Sequence, residues 1–143
     1  MSYNIHRAIG VDRRFRPERI LEILDTYNAD VLLLQEVDEG VPRSRELDLA
    51  RELAHELDMP HWAVGHNVSL RKGRYGNATL SRFPIQRERN IDLTIGSLKR
   101  RGCQHTTLQV ARPGPPRPLR PRDLRRRAMP RPRARERSPA PGH

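Results

Sequence analysis

The chain has 143 residues, 35% of them apolar, with 28 Lys and Arg against 17 Asp and Glu and a single cysteine. That length suits one modest domain, and a lone Cys103 excludes an internal disulfide or a cysteine-cluster zinc site. No apolar run approaches the roughly 20 residues that span a bilayer, and the polar Ser2, Tyr3 and Asn4 after Met1 do not begin an export signal.

Ser2 to Ile9 reads as a short strand running into a charged loop, early enough that an upstream segment could be missing. Pro17 suits the first position of a helix, and Ile20, Ile23, Leu24 and Tyr27 then fall at three- and four-residue spacings that make one apolar face. Asn28-Ala29-Asp30 closes it. Val31-Leu32-Leu33-Leu34 is a continuous apolar run too short for a helix, the pattern of a strand buried on both faces, with Gln35-Glu36 at its polar exit. After an Asp38-Glu39-Gly40 turn, a second helix is predicted from near Ser44. Its stripe is Leu47, Ala50, Leu53, Ala54 and Leu57, and Pro60 follows its end.

From His61 the pattern changes to short strands separated by turns: Trp62 to Val64, Val68 to Leu70, Ala78 to Ser81, Ile91 to Ile95 and Gln104 to Val110. Strand, helix, strand, helix and then several strands predict a mixed α/β layered domain. Cys103 reads as a buried structural thiol in a reducing, cytoplasmic setting.

Residues 111–143 depart from all of this. They hold 11 arginines against only Asp123 and Glu136, nine of the 13 prolines, and no aromatic residue, Val, Ile or Thr. Such a segment cannot build a core and is expected to be an extended, disordered Arg/Pro-rich tail. From Met1 to Val110 the balance is 17 basic to 15 acidic residues, so +9 of the net +11 lies in the tail and the front is nearly neutral.

Three groups of residues could carry chemistry. Glu36, at the carboxyl end of a buried strand, would point into the crevice where α/β sheets bind ligands, which makes it a candidate metal ligand; the bland alternative is a solvated loop glutamate. Asn4 and His6 sit two apart, so on a strand they would share a face and converge on one ligand, or simply face water. Gly73-Arg74-Tyr75-Gly76-Asn77-Ala78 combines backbone freedom with donors for phosphate oxygens, and equally suits a plain hairpin turn.

Taken in order, Tyr3-Asn4-Ile5-His6, the run Ala29 to Asp38, Arg43-Ser44, and Tyr75-Gly76-Asn77-Ala78-Thr79-Leu80-Ser81-Arg82-Phe83-Pro84-Ile85 resemble the endonuclease/exonuclease/phosphatase superfamily, in its bacterial hydrolase branch. The resemblance implies the N-terminal half of a four-layered α/β sandwich with two mixed sheets, over residues 1–110. It also implies hydrolysis of phosphate esters, nucleic acids among them, with magnesium or alternatively manganese. Glu36 would be the metal-binding glutamate and Asn4 its supporting asparagine. Tyr75 and Asn77 would lie at the active-site edge, beside His6.

The sequence departs from the family at Asp48-Leu49, where Asp-Gln is frequent. It departs further after Val110, where a Thr-His-Leu strand, an Asp-x-Asn strand end and a closing Asp-His pair are expected. Residues 111–143 instead contain one Asp, one His and no Asn. The reading is therefore a truncated hydrolase of low activity, with an apolar sheet face left bare and a tendency to aggregate. Two alternatives concern the tail. It could bind nucleic acid or other anions through its arginines, or it could be the out-of-frame product of a GC-rich gene.

Overall fold

Strand β1 (Ser2–Asn4) is the short edge of a four-stranded sheet ordered β1-β2-β4-β3. The structure, a computed structural model, describes residues 1–110, so the expectations about residues 111–143 lie outside the described residues. β2 (Val31–Glu39) runs parallel to β1, while β4 (Arg74–Ser81) is antiparallel to both β2 and β3 (His61–Ser69), making the sheet mixed. Helix α1 (Pro17–Tyr27) is the crossover between the two parallel strands, and α2 (Leu49–Glu56) connects β2 to β3.

Both helices pack on one face of this sheet. Leu24 of α1 and Leu49, Ala50, Leu53 and Ala54 of α2 join Leu32, Leu34, Val37, Ala78 and Leu80 of the strands in one core. Burying each of the leucines is worth roughly 2 kcal/mol, so this layer supplies most of the apolar stabilisation. Against the opposite face lies an antiparallel pair, β5 (Ile85–Asp92) and β6 (Gly102–Leu108). Helix, sheet and sheet are three layers of the α/β sandwich expected from the sequence.

Several local expectations change. The first strand stops at Asn4, because His6, Arg7 and Ala8 take left-handed φ values of 48°, 60° and 57° in a tight turn. His6 therefore does not share a strand face with Asn4. Along α1, Tyr27 is exposed and Leu21 takes its place beside Ile20 and Leu24. Val31 to Leu34 is fully covered on the helix face only: Leu32 and Leu34 are 1% exposed, but Leu33, on the face that carries β5 and β6 over β3 and β4, is 46% exposed.

The second helix begins at Leu49 rather than near Ser44. Asp48 caps it by accepting from Arg51 N at 3.2 Å, and Ser44 sits in a preceding 3-10 turn (Pro42–Ser44). Trp62 to Val64 and Val68 to Leu70 belong to one strand, interrupted by a register shift between His66 and Val68. Ile85–Asp92 replaces the strand expected at Ile91 to Ile95, and β6 starts and stops two residues earlier than predicted. Cys103 is exposed, because it points outward on β6 while Gly102, Gln104 and Thr106 alternate inward.

Candidate active site

Asn4, the last residue of β1, pairs with Gln35 of β2. There β2 does not end, as the sequence suggested, but bulges: its pairing with β4 jumps from Leu34↔Ala78 to Val37↔Gly76, so Gln35 and Glu36 together oppose Asn77. Glu36 accommodates the extra residue with a left-handed φ of 56°, a conformation that costs a non-glycine residue about 1 kcal/mol. The bulge aims its carboxylate at the end of β1, and the register places Asn4, Glu36 and Asn77 in one band across three strands. Tyr75, opposite Asp38, is next along β4.

The left-handed turn after β1 closes over this band. His6 Nδ1 stands 3.1 Å and Arg7 Nε 3.3 Å from Glu36 Oε2. Neither Arg7 Nε nor Glu36 Oε2 makes a hydrogen bond, although both atoms are buried. The Arg7 guanidinium and the His6 ring thus meet this oxygen as ion pairs without hydrogen-bond geometry, and a metal ion bound there would take over a charge they now partly neutralise. Asn4 Oδ1 accepts from His6 N at 2.8 Å and keeps a second lone pair.

A second charged pair borders the band. Asp38 is fully buried and accepts from Arg43 Nε at 2.9 Å and from Arg43 NH2 at 2.8 Å, a two-pronged fork. The guanidinium lies 5.5 Å from the centre of the Tyr75 ring. Hydrogen bonding to Asp38 holds Arg43 above its ordinary pKa despite partial burial, with Tyr75 and Glu36 adding attraction. Arg43 is thus a fixed cation facing the same region as Glu36.

The residues expected from sequence divide accordingly. Asn4, His6, Glu36 and Tyr75 come together at one end of the sheet. Asn77 reaches the band too, but its amide donates to Gly102 O at 3.1 Å and ties β4 to β6. Of the segment Gly73 to Ala78, only Gly73 belongs to a turn; Arg74 onward is strand. Arg74 donates to Glu39 Oε1 at 2.8 Å, and His66 Nε2 contacts the other oxygen. Burial would push the Glu39 carboxyl up, but the bonds from Arg74 and His66 outweigh it and hold Glu39 below its ordinary range. Arg7 was not singled out from sequence, and Asp38 and Arg43 entered only as members of separate family-like motifs, not as a pair. The left-handed turn gives no composition signal, and Asp38 reads as an ordinary acidic residue until its burial is known.

Among the described residues no three His, Cys, Asp or Glu side chains gather in a metal-holding group. The oxygens available are the Glu36 carboxylate and the Asn4 amide. Two hard oxygen donors with room for water and substrate fit magnesium or manganese, which bind through one or two carboxylates and retain several waters. They lack the cysteine and histidine ligands of a closed structural zinc site.

A model of the Endonuclease/Exonuclease/phosphatase family matches residues 1–142. The chain is 27% identical over 120 residues to the uncharacterized protein YbhP of Escherichia coli K12 and of Shigella flexneri, covering 71% of this chain and 43% of the relative. Its fold is similar to the crystal structure of an endonuclease/exonuclease/phosphatase from Beutenbergia cavernae, with a TM-score of 0.64 and 24% identity over 76% of this chain and 33% of that one. An endonuclease/exonuclease/phosphatase family protein from Leptotrichia buccalis gives a TM-score of 0.53 and 19% identity, covering 76% and 47%. The chain therefore spans less than half the length of these relatives.

Proposed function

Because the chain belongs to the endonuclease/exonuclease/phosphatase family, we propose that the band of Asn4, Glu36 and Tyr75 is the metal-holding and phosphate-receiving part of a phosphoester hydrolase site. The observation that carries this reading is the β2 bulge, which brings the Glu36 carboxylate into one band with Asn4 and Asn77, its buried Oε2 met by the ion pairs of His6 and Arg7 rather than by a hydrogen bond. Glu36 and Asn4 would hold magnesium or manganese. When bound, such an ion neutralises phosphate charge and makes a coordinated water more acidic.

The chain's own residues prepare the rest. Arg43, locked by Asp38, supplies a cation that cannot swing away, suited to the negative oxygens of a phosphodiester or phosphomonoester. Tyr75, flanked by that guanidinium, offers a hydroxyl donor to the same oxygens. His6 borders Glu36 with an imidazole nitrogen that can hold or pass a proton, and Asn77 steadies the β4 wall through Gly102. Phosphate esters as a class, nucleic acids included, fit this set of donors.

Turnover is expected to be low. No residue after Val110 reproduces the family's Asp-x-Asn or Asp-His pattern, so no group here corresponds to the base that would take a proton from water. Loss of such a group typically costs 100- to 10,000-fold, in the roughly central range for acid–base catalysis. The reading separates into binding and chemistry. Manganese titration followed by electron paramagnetic resonance is expected to show one bound ion that Glu36→Ala abolishes. Magnesium-dependent cleavage of bis-p-nitrophenyl phosphate is expected to be slow yet above the Glu36→Ala background. Manganese binding indifferent to Glu36→Ala would sink the assignment.

A further inference from the structure

Between β5 and β6 the chain leaves the sheet at Asp92 and returns at Gly102. Residues 93–101 form a hydrogen-bonded tip. Leu93 N donates to Arg101 O at 3.0 Å, Arg101 N to Thr94 Oγ1 at 3.1 Å, Thr94 N to Asp92 Oδ1 at 2.8 Å, and Leu98 N to Ile95 O at 3.1 Å. Gly96, with φ +55°, makes the turn and has nothing within 4 Å of where a Cβ would stand. These bonds close both ends of the tip and one turn within it.

Its side chains face the wrong way for a protein ending in water. Leu93, Ile95 and Leu98 are 53%, 76% and 68% exposed, although a loop of this size could have carried polar residues at no cost. Directly beside them Lys99, Arg100 and Arg101 are also exposed. Three cations against the single carboxylate of Asp92 leave the tip at +2. Aliphatic side chains at a turn, flanked by a run of cations, combine apolar area with attraction to anions, the two contributions that hold amphipathic segments at an anionic lipid interface.

We propose that this tip is a docking surface for an anionic bilayer, with Leu93, Ile95 and Leu98 entering the acyl boundary and Lys99, Arg100 and Arg101 meeting acidic headgroups. A nucleic acid would satisfy the cations but leave the three aliphatic side chains in water, and the tip has no aromatic residue on which a base could stack. No described helix is long and apolar enough to cross a membrane. Gly102, at the base of the tip, receives the Asn77 amide, so the tip rises from the same end of the sheets as Glu36. The inference holds whatever the Glu36 site cleaves.

The 11 arginines beyond Val110 also attract acidic lipid, so the apolar contribution is what must be measured. Flotation of the full chain with vesicles of phosphatidylcholine containing phosphatidylglycerol, at about 0.15 M salt, compares the parent with the triple variant Leu93→Ser, Ile95→Ser, Leu98→Ser. The partition coefficient is expected to fall at least about tenfold with the tail unchanged. Lys99→Gln, Arg100→Gln and Arg101→Gln should each lower it by up to about fivefold. A single Ile95→Trp variant keeps the tip apolar; its indole emission should shift to the blue and be quenched by brominated acyl chains, above the background of Trp62.

Equal flotation of the parent and the serine variant would overturn the proposal, as would a parent that does not float or an indole that brominated lipid leaves unquenched. So would a serine variant that only abolishes self-association in sedimentation velocity, or only weakens binding to a DNA duplex; these outcomes identify a second copy or nucleic acid as the occupant instead. The tip side chains are exposed, so the circular dichroism of the variants should match the parent.

Discussion

Asp38 has no access to solvent, and its charge is tolerable only because Arg43 meets both oxygens at 2.9 and 2.8 Å. Removing the guanidinium strands a buried carboxylate, whose usual cost of about 3 to 5 kcal/mol is reduced here because Arg43 is itself partly exposed. Arg43→Ala is therefore expected to lower unfolding stability by about 2 to 3 kcal/mol, read from the urea midpoint. Arg43→Lys should fall between, since an ammonium cannot occupy both prongs. Equal midpoints for the parent and Arg43→Ala would mean that water replaces the fork.

Glu39 makes a different test, through pH. Its carboxyl titrates below the ordinary 4.5 because its bonds to Arg74 and His66 outweigh burial. The folded state thus favours the charged form more than the unfolded chain does. That contribution is fully present above about 4.5 and disappears as pH falls through the lower, folded-state value. Acid titration of the urea midpoint should therefore show a decline below about 4.5 that Glu39→Gln makes shallower. The same slope in both proteins would remove Glu39 from the acid response. None of this pairing was visible in the sequence, where Glu39 stood in an acidic run taken for a turn; its partners lie 27 and 35 residues away.

At the scale of elements, what was legible followed from spacing. Pro17, Leu24, Leu53 and the run through Leu34 each signalled its element because periodicity depends on neighbours in sequence. The bulge at Gln35 and Glu36 did not, since a bulge exists only relative to the strand it pairs with, and β4 lies some forty residues downstream. The same holds for Gly76, which looked like turn punctuation but sits inside β4. A Cβ there would stand 2.0 Å from Gly65 O, a backbone atom of the paired strand that cannot move without breaking the ladder. Gly76→Ala should therefore cost at least about 2 kcal/mol and distort the end of the sheet that carries Tyr75. Asp48→Ala, which removes only the α2 cap, should cost about 1 kcal/mol by the same urea measurement. If Gly76→Ala proved the milder change, the β3–β4 contact would be looser than its geometry states.

At the scale of the molecule, the sequence led us to expect a bare apolar sheet face, and the face is more polar than that. Opposite the helices it carries Gln35, Asn77, Thr79 and Ser81, with Leu33 its main exposed apolar group. β5 and β6 are joined to it by Thr79 Oγ1 to Gln104 Oε1 at 3.1 Å, Thr79 to Thr106 at 3.0 Å, Asn77 to Gly102 O at 3.1 Å and Asn90 to His66 O at 2.8 Å. Each such bond contributes about 1 kcal/mol net, because water competes for the same groups, whereas the helix-side face is held by a contiguous apolar core. The two faces should consequently open at different free energies. Amides of β6 such as that of Thr106 are expected to exchange with deuterium at least about tenfold faster than those of Leu32 and Leu80, a gap of about 1.4 kcal/mol. Uniform exchange across both sheets would show that the polar seam holds as firmly as the core. A differential one would mean that the Asn77–Gly102 tie, and with it the wall beside Glu36, gives way before the sheet that carries Glu36 itself.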